Sequence, residues 1–347
     1  MSIQELGPDL ARPKRSGGID AVRVLGVVAV VVAHVWANDT TRLLFFPWHV
    51  PVFFFLTGYL WKWDRAFRQE WSARVKALGY PYLTWSVLVM VLFTALASHP
   101  FSVQSIADLM YRDYYALPPF QTFWFVSALF FVVLLYRIVC WLPLWGQWCV
   151  GLAALTIGVY AGPWLANSPL SVGASVSCLV FVIAGASARR VPTPAPALVG
   201  ALLLAVSALL VALRVSAPVD LRAGNLGTPY LSPVVAVAIS FGLVLVAEAL
   251  FNRLPSRVST VTTGLAVPAL IVVLLHPAVL WIVEPGKVGR PVEFGLALIL
   301  PWVAGLVAVR TPASVWLTGA GSRSGRPSRH PLQRQVFEMR RPRLSRR

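Results

Sequence analysis

GIDAVRVLGVVAVVVAHVW, residues 18–36, decides how this chain is read. The run approaches the length of about 20 residues that a bilayer crossing needs, yet it holds Asp20, Arg23 and His34. A charged group at the centre of a span costs roughly 2.5–3.5 kcal/mol even on the gentler insertion scale, so ionisable residues in such a helix are functional candidates by default. Arg23 lies near one end, where its stem lets the guanidinium snorkel to the interface, whereas His34 lies deeper. At ~100° and ~1.5 Å per residue, the two side chains share one helix face and stand ~16 Å apart along the axis.

The remainder of the chain agrees with a membrane setting. Of its 347 residues 57% are hydrophobic and only 12% charged, which excludes an ordinary soluble domain and, with repeated apolar runs near span length, indicates one polytopic all-α membrane domain. About ten spans are expected, near 19–37, 44–61, 79–97, 122–141, 147–166, 170–188, 195–214, 231–251, 260–282 and 292–310. The first span reads as retained, because no small-residue cleavage site follows it. Residues 1–18 then form a basic cytoplasmic segment, 19–312 the membrane domain, and 313–347 a disordered Arg-rich cytoplasmic tail.

The net charge of +17 fits that topology better than nucleic-acid binding. Arg12, Lys14 and Arg15, then Lys62, Arg65, Arg68, Arg74 and Lys76, then Arg189 with Arg190, Arg253 with Arg257, and the tail from Arg310 all fall on alternate connections. An even span count returns both termini to the cytoplasm, where the basic tail meets anionic headgroups. The opposite connections carry few cations, Arg42 and Arg222 among them. The longest of these, Ser98 to Gln121, is rich in aromatics suited either to an interfacial belt or to stacking on sugar rings. Cys140, Cys149 and Cys178 lack metal-ligand spacing and read as buried small hydrophobes; no metal site is expected.

Several polar residues could carry chemistry. A buried imidazole without a paired anion stays neutral and ready to accept a proton, which makes His34 a candidate general base; the alternative is an interhelical hydrogen bond. Asn38 and Asp39, one turn on, are placed to orient it, and Asn38 is also a substrate-binding candidate. His49 enters PWHVPVFFFLTGYL, where Pro51 marks a break and Thr57 with Gly58 forms a small polar gap, either lining a cavity or serving close packing. His276, beside Pro277, divides between packing and site. Glu248, near a helix end, is expected to snorkel or to pair with Arg253. Neither an internal repeat nor a glycine-rich nucleotide loop is present.

These motifs together resemble the acyltransferase 3 family, membrane O-acyltransferases typified by bacterial polysaccharide and peptidoglycan O-acetylases. Arg23, ten residues and His34 match its hallmark; WHVPVFFFLTGYL, RVKALGYPYLTW (from Arg74), FWFVSALF (123–130) and LLHP are similar to four further segments, in order. Thr57 stands where Ser is usual and Val126 where Leu is usual. The resemblance implies a cytoplasmic acyl-CoA co-substrate, most simply acetyl-CoA, with no permanently bound cofactor, and a hydroxyl acceptor on an envelope glycan or glycolipid. It is an expectation of a transferase of groups other than amino-acyl groups, O-acetylating at a bacterial inner membrane, a source that the Ala, Val, Arg and Pro bias also suggests.

On that expectation Arg23 and the basic cluster, Arg68, Arg74 and Lys76 included, hold CoA phosphates, since guanidinium makes charge-assisted phosphate contacts. His34 deprotonates the acceptor, with Asp20 and Arg23 completing the motif; Thr57, Trp124 or His276 stabilise the oxyanion, and His49 with Trp124 meets substrate. Two other classes compete: a proton-coupled small-molecule transporter that uses the intramembrane His and Arg as relay and anchor, and a noncatalytic assembly partner whose polar groups join helices.

Overall fold

The computed structural model describes residues 16–96 and 118–321. The basic N-terminal segment to Arg15, His99 and most of the 98–121 connection, and the tail from 322 with His330 lie outside the described residues. The described residues are predominantly helical, with no strand among them and one isolated bridge, Asp220 with Asn225.

Helix α1, Gly17–Val35, is continuous, so Arg23 and His34 do share one face. Asn38 then caps α2, Asp39–Phe45, its Oδ1 accepting from Thr41 N–H at 2.9 Å. The expected 44–61 span is not one helix: residues 46–50 turn, and α3 covers only Pro51–Tyr59. Proline has no N–H to give the preceding turn but suits a first helical turn, so Pro51 starts a helix rather than continuing one. Trp48 Nε1–H and His49 Nδ1–H donate to the Leu44 and Phe45 carbonyls at this break, at 3.0 and 2.8 Å.

The expected basic loop at 62–78 is also largely helical. Helix α4, Phe67–Arg74, passes through a π-turn at Val75–Gly79 into α5, Tyr80–Leu96. Helices α6, Phe123–Val139, and α7, Leu144–Ala166, lead to α8, Val172–Ala188, which is buried over most of its length. Next come α9, Pro196–Ala212; α10, Leu231–Phe251; and α11, Ser256–Ala266, bent by 51° into α12, Ala269–Val283. Helix α13, Arg290–Ala308, precedes the short α14, Ser314–Thr318. This last element was expected in the tail; instead Trp316 stacks on Tyr80, and the Leu317 carbonyl accepts from Trp85 Nε1–H at 2.8 Å.

Among the described residues six helical segments are long and apolar enough to cross a membrane, or seven with the bent α11–α12 pair as one; α6 and α9 are shorter apolar helices. Apolar side chains facing outward along α5 and α7, such as Leu83, Val87, Val91 and Ile157, suit a lipid environment. Trp145 and Trp164, 73% and 77% exposed, sit at opposite ends of α7, and at ~1.5 Å per residue the span between them approaches the ~30 Å hydrocarbon core. Cys178 is buried as expected, but Cys149 is exposed on α7, whose outer face needs no protein neighbour.

The bundle is organised by α1, which packs on α10 to α13, and by α8, which packs on α3, α6, α7 and α10. Helices α3 and α8 cross at backbone distance. A Cβ on Gly58 would overlap the Val182 carbonyl oxygen, and one on Gly185 would overlap that of Phe55. Alanine at either position therefore forces backbone movement. We expect Gly58→Ala and Gly185→Ala each to destabilise by about 1–3 kcal/mol or more, read as a lower thermal midpoint in detergent. Gly264→Ala, at a position with nothing within 4 Å, is the control that leaves the midpoint unchanged or raised.

Candidate active site

Two polar cavities lie towards opposite ends of α1 and divide the expected site residues between them. The first, of about 700 Å³, is lined at the Gly17 end by Asp20, Arg23, Thr57, Tyr59, Lys62, Arg65, Arg74, Arg189 and Glu248. Asp20 is buried and its carboxylate takes the Arg23 guanidinium at 2.8 Å, one helical turn away. The pair aims Arg23 along the cavity wall and offsets part of the cost of burying the carboxylate.

A second buried carboxylate organises the same end. Glu70, 1% exposed, receives Arg74 Nε–H at 2.6 Å, Arg137 at 3.1 Å and Arg65 at 3.3 Å. Arg137 is itself fully buried, donates to the Lys62 carbonyl at 2.7 Å and lies over the Trp61 ring at 4.2 Å. Lys62, Arg65 and Arg74 are thereby held in one rim. Arg68 and Lys76, expected beside them, are exposed and outside the cavity lining: a helix replaces the expected loop and turns them outward. Glu248 does not follow the expected Arg253 pairing; it accepts from Tyr59 O–H at 3.4 Å across the cavity, where Arg189 donates to the Tyr59 carbonyl at 3.1 Å.

The second cavity, of about 280 Å³, contains His34 and His49 in its wall with Gln121, Thr122, Trp124, Arg42, Asp220 and Arg222. His276 lies against it, its ring edge-on to His34 with centroids 4.8 Å apart. All three imidazoles share one device. Nδ1 of His34, His49 and His276 stands 2.8 Å from the carbonyl of Val30, Phe45 and Val272 respectively. A carbonyl only accepts, so Nδ1 carries the proton and, in the neutral ring, Nε2 presents a lone pair. The His276 Nε2 is buried and has no hydrogen-bond partner.

Pro277 explains how α6 reaches this site. It lacks the N–H that would bond the Val273 carbonyl, and Thr122 O–H donates there instead at 2.6 Å. The substitution fixes the start of α6, and with it Gln121 and Trp124, against α12.

Two of the three expected oxyanion donors, Thr57 and His276, are not placed to serve His34 in that role. Thr57 faces the basic cavity and donates to the Phe53 carbonyl at 2.8 Å; its place one α3 turn past Phe53 puts it beyond reach of the imidazole group. Asn38 is spent on the α2 cap. His276, with Nδ1–H committed, offers an acceptor where an oxyanion needs a donor. Lys62 and Arg65 belong to the basic cluster expected to meet CoA phosphates, whereas Arg189 at that end, and Arg42, Gln121, Thr122, Asp220 and Arg222 at the other, were not chosen as site residues from sequence.

A helical membrane protein with a basic cavity at one end and paired imidazoles towards the other is suited to bringing two chemically different ligands to one helix. The family model described as an acyltransferase domain, that of the acyltransferase 3 family, matches residues 16–318, and the chain belongs to this family. No curated protein and no solved structure matches it. Membership supports a membrane acyltransferase over the transporter and assembly-partner alternatives.

The Glu70 cluster makes a stability prediction. Glu70→Ala leaves the buried Arg137 charge without its carboxylate and should cost about 3–5 kcal/mol, whereas Arg65→Gln, at a more exposed pair, should cost under about 1 kcal/mol. Thermal midpoints of the two purified variants in the same detergent check the ranking.

Proposed function

We propose that the protein is an O-acyltransferase that moves an acetyl or other short acyl group from acyl-CoA to a hydroxyl of an envelope glycan or glycolipid. Ten crossings are assumed, with both termini and the basic cavity on the cytoplasmic side of a bacterial inner membrane; the collection of Lys62, Arg65, Arg189 and Arg23 at one end of the bundle supports that orientation. The observation that carries the reading is His34: an imidazole with Nδ1–H locked on Val30, lining a cavity on the same helix as Arg23.

The basic rim at the Gly17 end suits the phosphates of CoA, with Arg23, Lys62, Arg65, Arg74 and Arg189 supplying charge-assisted donors. The thioester arm then runs about 16 Å along α1 to His34. There His34 Nε2 takes the acceptor hydroxyl proton as the oxygen attacks the thioester carbonyl carbon. The C–S bond breaks, and the imidazolium returns its proton to the departing thiolate. Among the described residues in the wall, Trp124 and Gln121 carry N–H groups suited to the developing oxyanion. His276 presses its ring edge on His34 and keeps the base in place; His49 lines the acceptor side.

The test uses purified protein in nanodiscs, labelled acetyl-CoA and an envelope glycan fraction. His34→Ala should lower transfer by about 10²–10⁴-fold while retaining the native thermal midpoint. Arg23→Gln should act chiefly by raising the KM for acetyl-CoA. A folded His34→Ala protein that transfers at the native rate overturns the mechanism.

A further inference from the structure

The wall opposite His34 contains charges that the transfer step does not use. The connection between α9 and α10 brings Val219, Asp220, Leu221 and Arg222 into the cavity, and Arg42 from α2 meets them. This connection is built to hold its shape. Asp220 and Asn225 exchange both backbone hydrogen bonds, at 2.7 and 2.8 Å. Ser232 O–H donates to the Ala217 carbonyl at 2.7 Å and Thr228 O–H to that of Val215 at 2.9 Å. Gly224, at a φ of +68°, fits against Gly162 of α7 so closely that a Cβ on either would overlap the other's backbone.

The charges on this fixed wall are unequal. Asp220 Oδ1 accepts from the Ala223 N–H at 3.2 Å and Oδ2 from Arg42 Nη2 at 3.5 Å, so one carboxylate stands in this lining with two guanidiniums. Arg42 spends one long contact there, remains 47% exposed, and rests its guanidinium 4.6 Å over the Phe46 ring. Arg222 adds a second guanidinium to the same lining. A guanidinium has five donors in a planar fork, so either arginine can keep a protein partner and still give a pair of N–H groups to a ligand.

Resting on the acyltransferase reading of His34, we propose that Arg42 and Arg222 form an acceptor-selecting rim that favours a hydroxyl compound bearing a carboxylate or phosphate. The anionic group docks on the guanidiniums and thereby turns a neighbouring hydroxyl towards His34 Nε2. Selection by two arginines on a rigid connection costs little ordering on binding, since the backbone is already fixed.

The experiment compares methyl glucuronide, glucose 6-phosphate and methyl glucoside as acceptors for the full chain in nanodiscs. Transfer to an anionic acceptor should exceed that to the neutral glucoside by about tenfold or more, the equivalent of one charge-assisted contact. Arg42→Gln and Arg222→Gln should each collapse that ratio. Arg42→Lys and Arg222→Lys, which keep the charge but lose the fork, should reduce it in part and serve if a glutamine variant fails to fold. The glucuronide and phosphate arms separate the two anion types. A parallel reading needs no turnover: the same probes should raise the thermal midpoint of His34→Ala protein, the anionic ones more than the neutral one, in an Arg222-dependent way. Equal use and equal stabilisation by charged and neutral probes, or ratios that survive in all four variants, overturn the proposal. Absence of transfer to every acceptor, with the anion-selective stabilisation intact, instead removes the acyltransferase reading and leaves the rim.

Discussion

The approach of two backbones at Gly58 and Gly185 is the constraint from which both cavities follow. Helix α3 is only nine residues long, too short to be held by its own length in a membrane, and it keeps its place because α8 meets it with no side chain between. Its first turns carry Val50 and Phe53 to the imidazole cavity, and its last carry Thr57, Tyr59 and Leu60 to the basic one. Moving α3 by the width of a methyl group would reshape both. A short helix that begins at Pro51 also lets the chain turn inside the bundle, and it is this turn that places His49 opposite His34.

Polar groups buried in this fold sort by whether their hydrogen-bonding capacity is used up. Glu70 is saturated by three guanidiniums, the Val273 carbonyl by Thr122, and the Asp20 carboxylate by Arg23 at least in part. Such groups hold helices together and leave little for a ligand. The histidines differ. Their Nδ1 atoms are spent on backbone carbonyls four residues earlier, which leaves each Nε2 aimed away from the backbone that anchors the ring. The His276 Nε2, buried and without a hydrogen-bond partner among the described residues, stands beside the second imidazole of His34.

Much of this was legible before any coordinates. The apolar run from Gly18 with Arg23 and His34 on one face depends only on helical periodicity and length, and α1 preserves it unbroken. The break at Pro51 and the small gap at Gly58 were visible for similar reasons, since proline and glycine act through the backbone. What could not be read was which polar residues meet. Arg137 carried no assignment from sequence; it is the deepest cation of the basic cluster because Glu70, from a segment that read as loop, is helical and inward. Thr57 sits one turn from Phe53 along α3, and that turn carries it from one cavity to the other, a distinction no spacing in the chain reveals. Arg42 and Asp220 lie 178 positions apart and were joined only by folding.

The stretch of α1 between the two cavities gives the arrangement its chemical sense. Gly26 has the Phe53 ring laid against it, and Val27, Val30 and Val31 are buried on the same helix, so the charged end and the imidazole end are divided by an apolar segment. Water and small ions that gather around the basic rim meet an unfavourable medium before they reach His34. A single continuous helix therefore holds Arg23 and His34 about 16 Å apart, each at the wall of a different cavity.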